Sequence, residues 1–193
     1  EGAMLQRLVW LIALTLCLFG ASAKAHEITP AIADLSFAPS EFQVAISLNL
    51  EALVGKVGVD TGTTQDSVNA AEYDRLRLLK PADLEAEFGE FSADFLREVF
   101  VELDGQAQEL RVVFVEIPEV GDVELARNSR LTLAGPVPEG AKNLTWQWAQ
   151  SFGAIVLRAP ALTTGEDEAE PYTAYLTDGA KSDPIGVFGA EPK

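Results

Sequence analysis

The chain has 193 residues, 48% of them hydrophobic, which is enough apolar material for one folded domain and argues against wholesale disorder. Thirty acidic against 14 basic residues give a formal net charge of −16, a field that repels a phosphate backbone and excludes nucleic acid as a partner. A single cysteine and a single histidine exclude an intrachain disulfide, a Cys-X-X-Cys redox centre and a Cys/His zinc site.

Residues 4–25 read as an export signal. Arg7 supplies the positive start, residues 8–19 form an apolar run, and Ala21-Ser22-Ala23 and Ala23-Lys24-Ala25 both fit small-x-small cleavage. The run is about 12 residues, shorter than the roughly 20 that span a bilayer. The expected location is the periplasm or the periplasmic face of a bacterial inner membrane. Cys17 lies inside the leader, so the mature chain carries no cysteine.

Beyond the leader the pattern is mostly β. Residues 41–50 alternate, with Phe42, Val44, Ile46, Leu48 and Leu50 on one face, the period of a half-buried strand. Residues 28–37 predict a weaker strand, joined to it through Pro39-Ser40. Residues 55–64, with three glycines, read as a loop. Residues 67–96 predict helix: Leu76, Leu79, Leu84, Phe88, Phe91 and Phe95 recur every three to five positions. Pro81 suits the first turn of a second helix, and Gly89 is the expected kink or break. Residues 98–103 and 108–117 predict a strand pair around Asp104-Gly105, a hairpin signal. Four further short strands are expected at 129–133, 144–148, 154–158 and 172–176. The sum predicts a mainly β fold: an antiparallel, Ig-like β-sandwich over residues 26–188 with a helical insertion at 67–96. Its expected core holds Phe42, Val44, Ile46, Leu48, Val112, Phe114 and Leu133.

Chemistry-bearing motifs are few. No phosphate-loop spacing surrounds Gly55-Lys56 or Gly62-Thr63-Thr64. Residues 165–170 hold four carboxylates, oxygen ligands of the kind a hard cation takes. They lack the spacing of a calcium loop and read as a solvated acidic loop. Trp146 and Trp148 share one strand face and are expected in the core. The absence of a nucleophile motif predicts no hydrolase or redox activity, so the chain is expected not to be an enzyme. His26 is the candidate metal ligand. Cleavage after Ala25 makes it the first residue, where its α-amino and imidazole nitrogens chelate one Cu(II) or Ni(II) ion. Glu27 or a loop acid would complete the set.

The opening Ala25-His26-Glu27-Ile28-Thr29-Pro30-Ala31 resembles the start of the mature extracytoplasmic region of HupE/UreJ-type membrane proteins. Residues 129–133, 144–149 with Phe152-Gly153, 172–179 and 182–185 extend the resemblance. It implies a β-rich domain ahead of a bundle of membrane helices, an accessory role to hydrogenase or urease, and uptake of nickel or cobalt. The implied partner is the helical permease, either in the same chain beyond a linker beginning at 189–193 or as a separate subunit. The family's histidine-bearing transport motifs lie in those helices, so no residue here inherits them. The competing expectation is a free-standing secreted module that binds a metal ion, a carbohydrate or a protein.

Overall fold

A computed structural model describes residues 29–57, 67–160, 163–164, 167–168 and 171–187. The fold is mainly β, with two sheets enclosing one core and a helical excursion between the second and third strands. Strand β1 (Ala31–Ala38) turns at Pro39-Ser40 into β2 (Glu41–Asn49), and the pair is antiparallel from Ala38↔Glu41 to Ile32↔Ser47. The alternation in β2 has its expected outcome, with Phe42, Val44, Ile46 and Leu48 all buried. β6 (Asn128–Pro136) pairs along the whole of β2. On the other flank of β1 lies β8 (Ile155–Ala159), and this pairing is parallel, from Ala31↔Ile155 to Asp34↔Arg158. β11 (Tyr172–Leu176) and β5 (Arg111–Glu116) form the two edges of this six-stranded sheet.

The second sheet holds β3 (Val99–Leu103), β4 (Gln106–Ala107), β7 (Asn143–Trp148) and β12 (Ile185–Gly186), in the order β12-β7-β3-β4. Its inward residues Val101, Leu103, Leu144, Trp146 and Trp148 meet Val44, Ile46, Leu131, Leu133, Ile155 and Leu157 of the first sheet in one apolar cluster. Both tryptophans are core residues, as their spacing suggested. A two-stranded ribbon, β9 (Thr163–Thr164) with β10 (Asp167–Glu168), carries part of the acidic loop.

Three expectations are corrected. The strand after Asp104-Gly105 does not stay with β3. The turn forms, with both residues at positive φ (47° and 80°), as a two-residue hairpin requires. It pairs only Gln106–Ala107 with β3, and the chain then crosses to the open side of β6. Phe114 is not in the core: the register of β5 slips between Val112 and Phe114, and the extra residue turns Phe114 outward, 48% exposed, while Val112 and Val115 face in. The second helix starts at Pro81 as expected, after a break at Leu78–Lys80, and the further kink or break expected at Gly89 is absent. Pro81, lacking an N–H, starts a new helix, so 67–96 is realised as α2 (Ala70–Arg77) and α3 (Pro81–Arg97). Gly89 sits inside α3, where a Cβ would touch nothing. α3 drives Leu84, Phe88 and Phe95 into the core. A further short helix, α1 (Leu50–Val54), continues directly from β2. Among the described residues no helix is long and apolar enough to cross a membrane.

Candidate functional site

The Thr29 end of the sandwich is built from α1, the C-terminal half of α3 and the 3₁₀ turn Gln150–Phe152. Asn49 caps α1: its side-chain oxygen accepts from the Ala52 N–H at 3.0 Å, and its amide donates to the Tyr73 hydroxyl at 2.8 Å. Burial pushes the Tyr73 hydroxyl above its ordinary pKa, against the smaller opposing effect of the Asn49 hydrogen bond. Close approach of α1 to α2 demands glycine at 55, where a Cβ would lie 2.9 Å from the Glu51 carbonyl oxygen and 3.2 Å from Leu76 Cδ1. The chain then turns through Lys56 at φ 51°, which holds its ammonium 5.7 Å from the centre of the Phe91 ring, a cation–π contact.

Phe152 anchors the opposite wall. Its ring lies 5.3 Å from Phe95 and 5.9 Å, edge-on, from Trp148. Trp148 Nε1 donates to the Gly153 carbonyl at 2.9 Å and so fixes the 3₁₀ turn against β7. Between these walls lies a groove of about 390 Å³, lined by Leu53, Lys56, Phe91, Asp94, Arg97, Glu98, Ser151 and Phe152. Its floor is aliphatic and aromatic and its rim is charged. Asp94 and Arg97 pair with each other one turn apart on α3. Among the described residues, the Glu98 carboxylate and the Lys56 ammonium have no ion-pair partner. A smaller cleft of about 40 Å³ shares Leu53, Ser151 and Phe152 with the groove and is lined also by Thr29, Ala31, Asn49 and Trp148.

Beneath α1 lies a second polar constellation. Glu51 is buried and accepts a 2.7 Å charged hydrogen bond from Arg127 Nε. Arg127 Nη1 also donates to the carbonyls of Leu79 (3.1 Å) and Pro118 (3.2 Å). One guanidinium thus ties α1 to the α2–α3 connection and to the segment before β6. It is a structural clamp, with no opening to the groove among the lining residues.

No family model matches the chain, and no curated protein matches it either. Of the residues singled out by sequence, His26 and Glu27 lie outside the described residues, as do the side chains of the acidic loop. Among the described residues no group of three or more His, Cys, Asp or Glu side chains comes together. Sequence reasoning missed the groove, because its walls come from three segments some 40 to 60 residues apart. The one available signal was Phe91, Asp94 and Arg97, spaced by threes on a single helix face.

Proposed function

We propose that the chain is a non-enzymatic extracytoplasmic domain that works beside a metal permease of the HupE/UreJ kind, with its processed N-terminus as a weak capture point for nickel, cobalt or copper. The resemblance at residues 25–31 supplies the family. One structural observation supports the arrangement. Thr29, three residues after His26, lines the same small cleft as Trp148 at one end of β7, whereas Val187 donates its N–H to the Lys142 carbonyl at the other. The two ends are separated by the length of β7, roughly 17 Å. A domain held to a membrane beyond Val187 would carry Thr29, to which the proposed chelate is bonded, at its far end.

The capture chemistry is chelation by the α-amino and imidazole nitrogens of His26, with Glu27 adding an oxygen ligand. Both nitrogens must be unprotonated, so affinity falls as pH drops through the ordinary α-amino value of about 8 and falls further through the imidazole value of about 6.5. Calorimetry with Cu(II) and Ni(II) tests this on two proteins, one beginning at His26 and one extended by a single preceding residue. Binding by the first and a large loss in the second is expected. Equal affinities overturn the N-terminal chelate.

The competing reading, a free-standing secreted binding module, draws on the groove, whose volume suits a small amphiphilic ligand. The open reading frame beyond Lys193 separates the two. Apolar helices shortly after it place the permease in the same chain, and a stop codon there favours the free module or a separate subunit.

A further inference from the structure

We propose that the groove binds a short apolar peptide of about three residues with both ends free, its ammonium at Glu98 and its carboxylate at Lys56. The inference rests on the reading of the groove as a small-ligand site. It holds alike for a free-standing chain and for one attached to a permease.

The spacing of two charges carries the argument. Phe91 and Glu98 both line the groove and stand seven residues apart along α3 and its C-cap, so they share one helix face. At 1.5 Å of rise per residue they lie roughly 10 Å apart along the axis. The Lys56 ammonium sits over the Phe91 ring, 5.7 Å from its centre, and marks one end of that distance. The Glu98 carboxylate marks the other. Neither charge makes an ion pair among the described residues. Between them Asp94 and Arg97 neutralise each other, so the rim carries a cation at one end and an anion at the other. The floor between these ends is apolar, formed by Leu53, Phe91 and Phe152. Backbone contacts hold the walls in place. The Glu98 carbonyl accepts from the Ala149 N–H at 2.9 Å, which ties the end of α3 to the start of the 3₁₀ turn that carries Phe152. The Gly55 N–H donates to the Glu51 carbonyl at 2.8 Å and fixes the turn into Lys56.

A matching ligand has an apolar body and opposite charges about 10 Å apart. The charges of a single amino acid sit on one carbon and are too close. An extended chain covers about 3.3–3.6 Å per residue, so three residues bring an ammonium and a carboxylate to the two ends. The negative end of the α3 dipole adds to Glu98 in favouring the ammonium there. The net charge of −16 works against a ligand that is only anionic. At about 390 Å³ the groove is of small-ligand size.

Isothermal titration of the processed chain in chelator-containing buffer tests the assignment. The probes are tri-leucine, its N-acetyl form, its C-amide, the doubly capped peptide and dileucine. Tri-leucine should bind, and capping either end should weaken it about fivefold. Glu98→Gln should abolish the effect of N-acetylation and leave that of amidation. Lys56→Gln should do the reverse. Both residues are exposed, and far-UV spectra check that the variants fold. Dileucine spans only about 7 Å and should bind several-fold more weakly, since it meets one charge at a time. Added salt should narrow all these differences. Equal binding of the free and doubly capped peptides overturns the proposal but leaves a site for amphiphiles. Capping effects that persist unchanged in both variants overturn it by placing the peptide elsewhere. No binding of any probe overturns both the proposal and the small-ligand reading of the groove.

Discussion

Removing the Arg127 guanidinium breaks the most buried ion pair among the described residues. Arg127→Ala leaves the Glu51 carboxylate, 1% exposed, without its ion-pair partner and strips a donor from the carbonyls of Leu79 and Pro118. Breaking one partner out of a buried pair costs about 3–5 kcal/mol, because the remaining charge stays desolvated. For a domain of this size each kcal/mol lowers the melting temperature by about 2–4 °C, so the expected fall is roughly 6–20 °C. Thermal unfolding at neutral pH, followed by far-UV circular dichroism and checked by urea titration, reads the change directly. The pair is held by one hydrogen bond and not by a two-pronged contact: Glu51 Oε2 and Arg127 Nη2 are buried without partners among the described residues. Replacing both residues with apolar ones of similar bulk, Glu51→Leu with Arg127→Met, should therefore recover most of the loss. A loss under about 1 kcal/mol for Arg127→Ala would refute the reasoning, since it would mean that water already solvates Glu51.

Gly135→Ala should cost about 1–3 kcal/mol in urea unfolding, because the new methyl would lie 2.5 Å from Phe42 Cζ in a fully buried ring. Trp148→Phe should cost about 1 kcal/mol more than Trp146→Phe, since it removes the donor to the Gly153 carbonyl, whereas Trp146 Nε1 is buried with no acceptor among the described residues. An equal or reversed order in denaturant midpoints would contradict that assignment. The N–H groups of Lys142 and Asn143 hold the Asp104 carboxyl below its ordinary pKa of 3.8, with the Lys142 N–H first. A carboxyl lowered in the folded state stabilises above the unfolded value and loses that contribution as pH falls through the lowered one. The stability gap between the native protein and Asp104→Asn should accordingly be constant at neutral pH and close below about pH 4. A gap unchanged down to pH 2 would exclude the carboxylate as its source.

Local rules served where they governed the outcome. The alternation in residues 42–48 and the Pro39-Ser40 connection specify β1 and β2 down to the register, because a slip by one residue would expose Phe42, Val44 and Ile46 together. Asp104-Gly105 likewise specifies its turn, since both positions need positive φ. The path of the chain after that turn is decided elsewhere. β5 goes to β6 because that strand has a free side, a fact of the other sheet that no local pattern records. The slip at Val113 and the consequent exposure of Phe114 belong to the same class. Helix periodicity located α2 and α3, and Pro81 marked the start of α3 as expected, whereas the kink or break expected at Gly89 does not occur. Proline ends a helix by stereochemistry, whereas an exposed glycine only weakens one. The groove and the Glu51–Arg127 clamp join residues separated by up to about 100 positions, with 76 between the clamp partners, and neither leaves a periodic trace. His26 and Glu27, the proposed metal ligands, fall outside the described residues.

The parallel pairing of β1 with β8 has a consequence for the order of folding. β1 is not an edge strand: it lies between β2 and β8, and Asp34 bonds Arg158 across 124 positions of chain. The first strand of the domain therefore waits for one of the last. A nascent chain that has reached only β7 can close the β1–β2 hairpin and add β5 and β6, yet its central apolar row keeps one open flank until residues 155–159 arrive. Contacts of such long separation slow the final closure. A chain cut off before β8 should accumulate as an open, self-associating sheet and not as a smaller stable domain.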